Sequence, residues 1–247
     1  MNDLNGLGWL VILLPLLLLI QRQMHRELQE IFLILSGRLD IALILFSIVF
    51  FPGVFLHETS HYLAARLLGV PTGRFSILPQ VKKNKLQLGY VETAQSDMVR
   101  EALIGLAPLL SGCGVVVYVG IARLGLVDLW NSLSHWDSAG LLSQAGVIYR
   151  QPDFWLWFYL LFTVSSTMFP SRSDQRAWLP LAFFTLVLGG IGVFSGAGEW
   201  MFAHLKPMAG ILFTSLASIF AISLLVHLIF YLPFLLIGRV LRIIKPA

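Results

Sequence analysis

The sequence has little of what stabilises most soluble domains. Its single cysteine, Cys113, excludes an internal disulfide and any metal site built from several thiolates. Only 12% of the 247 residues are charged, whereas 57% are hydrophobic and the mean hydropathy is +0.81. The basic residues lie between apolar runs rather than in one stripe, so we expect no nucleic-acid partner. The low charge and the high hydropathy predict an integral, multi-pass protein of the lipid bilayer.

The sequence instead contains long apolar runs. They predict an all-α polytopic membrane protein with about six transmembrane helices. The predicted spans cover residues 7–20, 41–68, 98–124, 154–169, 177–194 and 208–237, and an interfacial helix or connector covers residues 21–37. The first run has no positively charged segment before it and no small-residue cleavage site after it, so we expect a retained helix.

Basic residues flank the predicted spans unequally. With six spans, most of the 17 lysines and arginines fall on the side that holds both termini. The positive-inside rule therefore predicts that both termini are cytoplasmic. We expect the membrane to be a bacterial inner (cytoplasmic) membrane, and the sequence does not predict an oligomeric state.

The second span contains the segment His57-Glu58-Thr59-Ser60-His61. On a helix, two histidines four residues apart project from one face and can bind the same metal ion, with Glu58 beside the water that the metal activates. Ionisable residues are costly inside a membrane helix, so three of them within five positions indicate a functional site. Pro52 and Gly53, one turn earlier, predict a kink.

The predicted topology also selects a third ligand, because catalytic zinc commonly has three protein ligands. His61 lies near the end of the second span and Asp174 follows the fourth, so both are expected on the same side of the membrane. Asp174 is therefore the predicted third ligand. Glu199 and His204 fall on the opposite side, and a membrane zinc peptidase of another class, with Glu199 as its third ligand, stays an open alternative.

The composition changes sharply between the second and third spans. Polar and apolar residues alternate over residues 74–78 and 85–91, on either side of a lysine-rich turn at residues 82–85. This pattern predicts a small, membrane-associated β-hairpin over residues 72–96. We expect an exposed strand of this hairpin, with Leu86 and Leu88, to bind an extended substrate by strand addition.

These features resemble the site-2 protease family of intramembrane zinc metalloproteases, in a minimal form without a PDZ domain. The resemblance covers roughly residues 41–178. It includes Gly105 and Pro108 in the small-residue helix after the hairpin, where the family's Gly-Pro-x-x-Asn motif lacks its asparagine. The segment before Asp174 also differs from the family's usual third-ligand motif.

The resemblance implies a function and a site. It implies a zinc-dependent endopeptidase that hydrolyses peptide bonds within or near the transmembrane segments of single-span proteins or peptides. One Zn²⁺ ion would be held by His57, His61 and Asp174, with Glu58 as the general base. The predicted substrate contacts are Gly105, Pro108, Leu86 and Leu88.

The same interpretation divides the chain into three parts. Residues 1–40 form an accessory helix and connector, residues 41–178 form the metalloprotease core of three helices plus the hairpin, and residues 179–247 form accessory C-terminal helices. A non-proteolytic membrane protein that binds or transports metal is the other open alternative. Such a protein would have no need for Glu58 beside the first ligand.

Overall fold

A computed structural model of the chain describes residues 5–77, 80–82, 85–126, 128, 132 and 137–245. Its helices are α1 (Asn5–Ser36), α2 (Leu39–Leu67), α3 (Met98–Val117), α4 (Ser138–Tyr149), α5 (Phe154–Thr167), α6 (Trp178–Gly192) and α7 (Gly198–Ile244). Two π-helical segments, Tyr118–Arg123 and Val193–Ala197, follow α3 and α6.

Four helical segments are long and apolar enough to cross a membrane, which supports the prediction of a membrane protein. They are Gly6–Ser36, Leu39–Leu67, Met98–Arg123 and Trp178–Ile244. The helix α5 is apolar but has only 14 residues. The predicted fifth and sixth spans are joined in one apolar run that turns at Gly196, where φ is +92°. The prediction of about six separate spans is therefore only partly matched.

The sequence predicted a short span followed by a connector in the region of α1, and the structure differs from this prediction. The segment α1 is one helix of 32 residues, about 48 Å long at 1.5 Å per residue. Its apolar face continues through the predicted connector, where Met24, Leu28 and Ile31 are buried. On its polar face Arg242 of α7 pairs with Glu27 at 3.2 Å and with Glu30 at 2.9 Å. Packing along α7 explains why the helix does not end at the first polar residues.

The helices α1 and α7 run parallel to each other. Gly6 packs against the backbone at Thr214, and the Lys245 ammonium donates to the Ile34 carbonyl at 3.1 Å. The start of α1 and the end of α7 therefore lie at opposite ends of the bundle. This packing does not support the prediction that both termini share one side.

The predicted hairpin contains two nested antiparallel pairs of strands. The outer pair is β1 (Thr72–Ser76) with β4 (Tyr90–Thr93), and the inner pair is β2 (Gln80–Lys82) with β3 (Lys85–Gln87). Phe75 faces Val91 across the outer pair. Two residues of the predicted lysine-rich turn, 83 and 84, lie outside the described residues. The outer pair packs against the end of α2, where the Phe75 ring lies 5.9 Å from the Tyr62 ring.

Glycines bring α2, α3 and α5 close together. A Cβ atom at Gly53 of α2 would overlap the Thr163 carbonyl and the Thr167 hydroxyl of α5, and one at Gly112 of α3 would overlap Met168. The helix α2 continues through Pro52. The Tyr159 hydroxyl of α5 donates to the Val49 carbonyl of α2 at 2.8 Å. This close approach places the end of α5 beside the predicted metal motif on α2.

Candidate metal centre

Three side chains from two distant parts of the chain converge at the end of α2. The Nε2 atoms of His57 and His61 are 3.2 Å apart. Oδ2 of Asp174 lies 3.9 Å from Nε2 of His57 and 3.6 Å from Nε2 of His61. Among the residues that the structure describes, this is the one group of three histidine, cysteine or acidic side chains able to hold a metal ion.

The hydrogen bonds of the two histidines fix which ring nitrogens face one another. Nδ1 of His57 lies 2.7 Å from the Thr167 carbonyl oxygen, and Nδ1 of His61 lies 2.9 Å from the Ile104 carbonyl oxygen. A carbonyl oxygen only accepts hydrogen bonds, so each Nδ1 carries the proton. The Nε2 atom of each neutral ring then presents a lone pair to the other. Two facing lone pairs beside a carboxylate attract a cation.

The spacing of these atoms suits a small tetrahedral ion. Zinc binds imidazole nitrogen at about 2.0–2.1 Å, and tetrahedral geometry then separates two ligand atoms by about 3.4 Å. The observed separations of 3.2, 3.6 and 3.9 Å lie near this value. Carbonyls that hold the outer nitrogens of metal-binding histidines are the usual means of orienting such rings. Two nitrogens and one oxygen leave a fourth position open.

Asp174 reaches the histidines from the short loop between α5 and α6. Its Oδ2 accepts a hydrogen bond from the Ser171 amide at 2.7 Å. Burial raises the pKa of the Asp174 carboxyl, whereas His61 in its protonated form and the hydrogen bonds from Ser171 lower it, and the net pKa lies below the ordinary value. The carboxylate is therefore ionised, which is the form that binds metal. The loop can approach because a Cβ atom at Gly105 of α3 would overlap the Asp174 carbonyl oxygen.

Glu58 lies in the wall of the cavity that contains the three converging side chains. Glu58 is only 8% exposed. The cavity has a volume of about 1130 Å³. The hairpin closes over it at Gly89, where an added Cβ atom would lie 2.7 Å from Cγ of Glu58. Glycine at this position lets the hairpin backbone approach the carboxylate directly.

The predicted substrate contacts occupy different environments. Leu88 and Gly105 line the cavity. Pro108 is completely buried in the packing of α3 and is not in the cavity wall. The side chain of Leu86 lies outside the described residues. Glu199 and His204, the other acidic and histidine candidates, lie in the first turns of α7 and outside the converging group, and His204 is exposed.

The structure also shows polar residues that the sequence did not single out. His227 of α7 is fully buried; its Nδ1 lies 2.6 Å from the Ser223 carbonyl and its Nε2 lies 2.8 Å from the Ser166 hydroxyl. His25 of α1 lines the same cavity as Glu58. Both are ionisable residues in apolar helices, which is a signal of function, but His25 fell in the segment predicted as a connector.

Comparisons of this chain with family models, curated proteins and solved structures found no match.

Proposed function

We propose that this protein is an intramembrane zinc-dependent endopeptidase, similar to the site-2 protease family, that cleaves single-span membrane proteins or peptides within or near their transmembrane segments. The observation that carries the proposal is the convergence of two Nε2 lone pairs and the Asp174 carboxylate in one cavity with Glu58. The two nitrogens and one oxygen fit zinc, which accepts both ligand types and keeps a fourth position open in catalytic sites.

Each residue of the site has a role in peptide hydrolysis. Bound zinc would supply a Lewis acid that activates water and polarises the scissile carbonyl. The Glu58 carboxylate accepts the proton of the attacking water and then gives it to the nitrogen of the leaving amine. The Thr167 and Ile104 carbonyls keep His57 and His61 in the tautomer that presents Nε2.

The oxyanion donor does not come from the three hydroxyls next to the Asp174 loop. Ser165 donates to the Leu161 carbonyl at 2.6 Å, and Thr167 donates to the Thr163 carbonyl at 3.0 Å. Because Nδ1 of His227 carries its proton toward the Ser223 carbonyl, the Ser166 hydroxyl donates to Nε2 of His227. Each of the three hydroxyls therefore already donates its proton to an acceptor within the protein.

The hairpin supplies a surface for an extended substrate. A transmembrane helix hides its carbonyls in internal hydrogen bonds, so the peptide must unwind before attack. The strand β4 pairs with β1 on one side and, within the described residues, with no strand on the other. Its first residues line the cavity beside Glu58. We propose that the unwound peptide pairs with this edge, as in other cases of strand addition.

The metal end of the bundle is proposed to face the cytoplasm. The segments that surround it, namely the last turn of α2, the hairpin and the loop after α5, carry basic residues that include Arg66, Arg74, Arg172 and Arg176. The positive-inside rule places such loops in the cytoplasm. Cysteines introduced at Ser173 and at Arg38, labelled with an impermeant thiol reagent, test this orientation. Labelling of Ser173→Cys from outside intact cells would reverse it.

The decisive experiment combines metal analysis with cleavage. The purified protein is expected to contain one zinc ion per chain and to cleave members of a panel of single-span substrates, whereas the Glu58→Gln variant keeps the zinc and loses cleavage. Bound zinc without cleavage of any substrate by the unaltered protein would favour the metal-binding or transport alternative.

A further inference from the structure

The cavity at the metal centre opens to solvent where the hairpin leads into α3. The residues that line this cavity opening are exposed or half-buried, unlike the apolar core around α2. They include Thr93, Ala94, Gln95 and Ser96. A peptide that leaves the metal centre can therefore pass along this segment and remain in contact with the protein.

Glu101 of α3 places a carboxylate in the wall of the cavity opening. Its Oε1 atom accepts a hydrogen bond from the Ser96 amide at 3.3 Å, which fixes the position of the carboxylate. Glu101 is half-buried, and among the described residues no basic side chain forms an ion pair with it. The neighbouring Arg100 pairs instead with Asp97 at 3.1 Å. The second oxygen of Glu101 is therefore available to a cationic group.

Glu101 lies on the face of α3 that supports the metal ligands. Ile104 and Gly105, three and four residues later in the helix, share this face. The Ile104 carbonyl lies 2.9 Å from Nδ1 of His61, and the backbone of Asp174 packs directly on Gly105. About one helical turn, or 5.4 Å along α3, therefore separates Glu101 from the residues that support the metal ligands.

We propose that Glu101 is a specificity residue that binds a lysine or arginine in the polar segment flanking the substrate's transmembrane helix. The inference rests on the proposed protease function and its orientation, and it adds a sequence preference to them. Membrane proteins carry an excess of lysine and arginine beside the cytoplasmic ends of their helices, so the substrate class contains the required group. A carboxylate with an oxygen available binds such a group by a charge-assisted hydrogen bond.

Arg176 gives the same cavity a charge of the opposite sign. It lines the cavity from the loop after α5. An acidic residue of the substrate would be attracted to Arg176 and repelled by Glu101, whereas a basic residue would experience the reverse. The sign of the substrate preference therefore distinguishes binding at Glu101 from binding at Arg176.

Two paths from the metal centre bracket the position of the basic residue. Along α3, one helical turn corresponds to about two residues of extended peptide, at about 3.3 Å per residue. Along the hairpin, seven residues separate Gly89, which packs against Glu58, from Ser96. The basic residue is therefore expected about two to seven positions from the scissile bond, within the flanking segment.

Cleavage of matched substrates tests the preference. One lysine or one glutamate is moved through an otherwise uncharged flanking segment, and kcat/KM is compared with that of the uncharged substrate. Lysine should be favoured about fivefold at one or two positions of this interval, and the preference should disappear at about 1 M salt. Glu101→Gln keeps an acceptor for the Ser96 amide but should lose the preference, and Glu101→Lys should transfer it to glutamate.

Glu92→Gln is the matched control. Glu92 of β4 also accepts a backbone amide at 3.3 Å, from Arg74, but it does not line the cavity. This variant should keep the lysine preference, and all the variants should keep their zinc. A lysine preference that is absent from the unaltered protein, equal at all positions, or unchanged in Glu101→Gln would overturn the proposal. A glutamate preference that disappears in Arg176→Gln would overturn it in favour of Arg176.

A second measurement does not depend on turnover. Glu101→Cys is combined with Glu58→Gln, and single cysteines along the flanking segment of a substrate are tested for disulfide cross-links to it. Arg100→Cys, at an exposed position outside the cavity wall, is the control, and the native Cys113 is buried. Cross-links to position 101 and none to position 100 support the placement, and their absence at position 101 overturns it. Cleavage of no substrate by the unaltered protein would instead count against the proposed protease function.

Discussion

Two sets of histidines lie in the same helical bundle, and their hydrogen bonds give them different chemistry. At the metal centre, His57 and His61 each use Nδ1 for a backbone carbonyl and direct Nε2 toward the other ring and Asp174. The other two, His25 of α1 and His227 of α7, are the inner histidines and pack against aromatic side chains. His227 has both nitrogens in hydrogen bonds, to Ser223 and Ser166, and so has no free lone pair.

This difference shows that a histidine in a membrane helix does not by itself define a metal site. What distinguishes the two sets is whether lone pairs converge on one point with a carboxylate nearby. Backbone carbonyls at the metal centre orient both rings toward that point. Around the inner histidines the rings pack instead against aromatic side chains, with Phe162 5.6 Å from His227 and Phe50 4.8 Å from His25.

The Glu58→Gln substitution is expected to have the largest effect on the metal centre. Glutamine keeps the size of the side chain but cannot accept the proton of the attacking water, so kcat is expected to fall about a thousandfold, within the usual range for a general base. Zinc content should not change. Cleavage assays and metal analysis of the same preparation measure both. The exposed Glu199→Gln is the matched control, and undiminished cleavage by Glu58→Gln would contradict the role of Glu58.

Replacing Asp174 with alanine tests whether the carboxylate distinguishes the two histidine sets. Loss of a direct ligand should lower zinc affinity by at least about 100-fold, since outer-shell changes alone cost about 10- to 100-fold. Competition with a fluorescent zinc chelator measures this affinity. Asp153→Ala, in the loop before α5, should bind zinc as the unaltered protein does. Equal affinity in Asp174→Ala and the control would show that two histidines suffice or that another ligand takes part.

A pair of glycines on α3 tests the approach that brings Asp174 to the histidines. A methyl group at Gly105 would overlap the Asp174 carbonyl oxygen, so Gly105→Ala should displace the loop, lower zinc affinity about tenfold and cost about 1–3 kcal/mol of stability through overpacking. At Gly114 a methyl group would meet no atom within 4 Å. Gly114→Ala should therefore bind zinc normally and gain about 0.5–1 kcal/mol from helix propensity.

Thermal melting and zinc titration of the two variants provide the comparison. If both alanines behaved alike, the close contact between α3 and the Asp174 loop would not control the site.

The smallest effect on zinc is expected from the inner histidines. His227→Phe removes a hydrogen-bond acceptor from Ser166 and a donor from the Ser223 carbonyl, which should lower the free energy of unfolding by about 1–3 kcal/mol. Zinc stoichiometry should stay at one ion per chain because no lone pair of His227 is free. Metal analysis before and after dialysis against a chelator measures this. Loss of zinc from His227→Phe would show that an inner histidine also takes part in zinc binding, which would contradict the distinction between the two sets of histidines.

Much of the local structure was predictable because its cause is local. Apolar runs of helical length predict α2 and α3 closely, and alternation over residues 74–91 predicts paired strands. The predictions that the structure did not match depend on contacts between distant segments. The helix α1 continues through Arg22 and Arg26 because its apolar face packs along α7, and no local pattern reports that contact. The count of separate crossings was only partly matched, because α6 and α7 form one apolar run.

Residue order alone was enough to indicate that the protein lies in a membrane and that one helix presents His57 and His61 on the same face. Both follow from hydropathy and from the 3.6-residue helical period, which act over a few residues. The packed fold was needed to show that Asp174 joins the histidines and that both rings present Nε2. These depend on how closely α2, α3 and α5 pack at Gly53 and Gly105, and contacts between distant segments leave no periodic signal in the sequence.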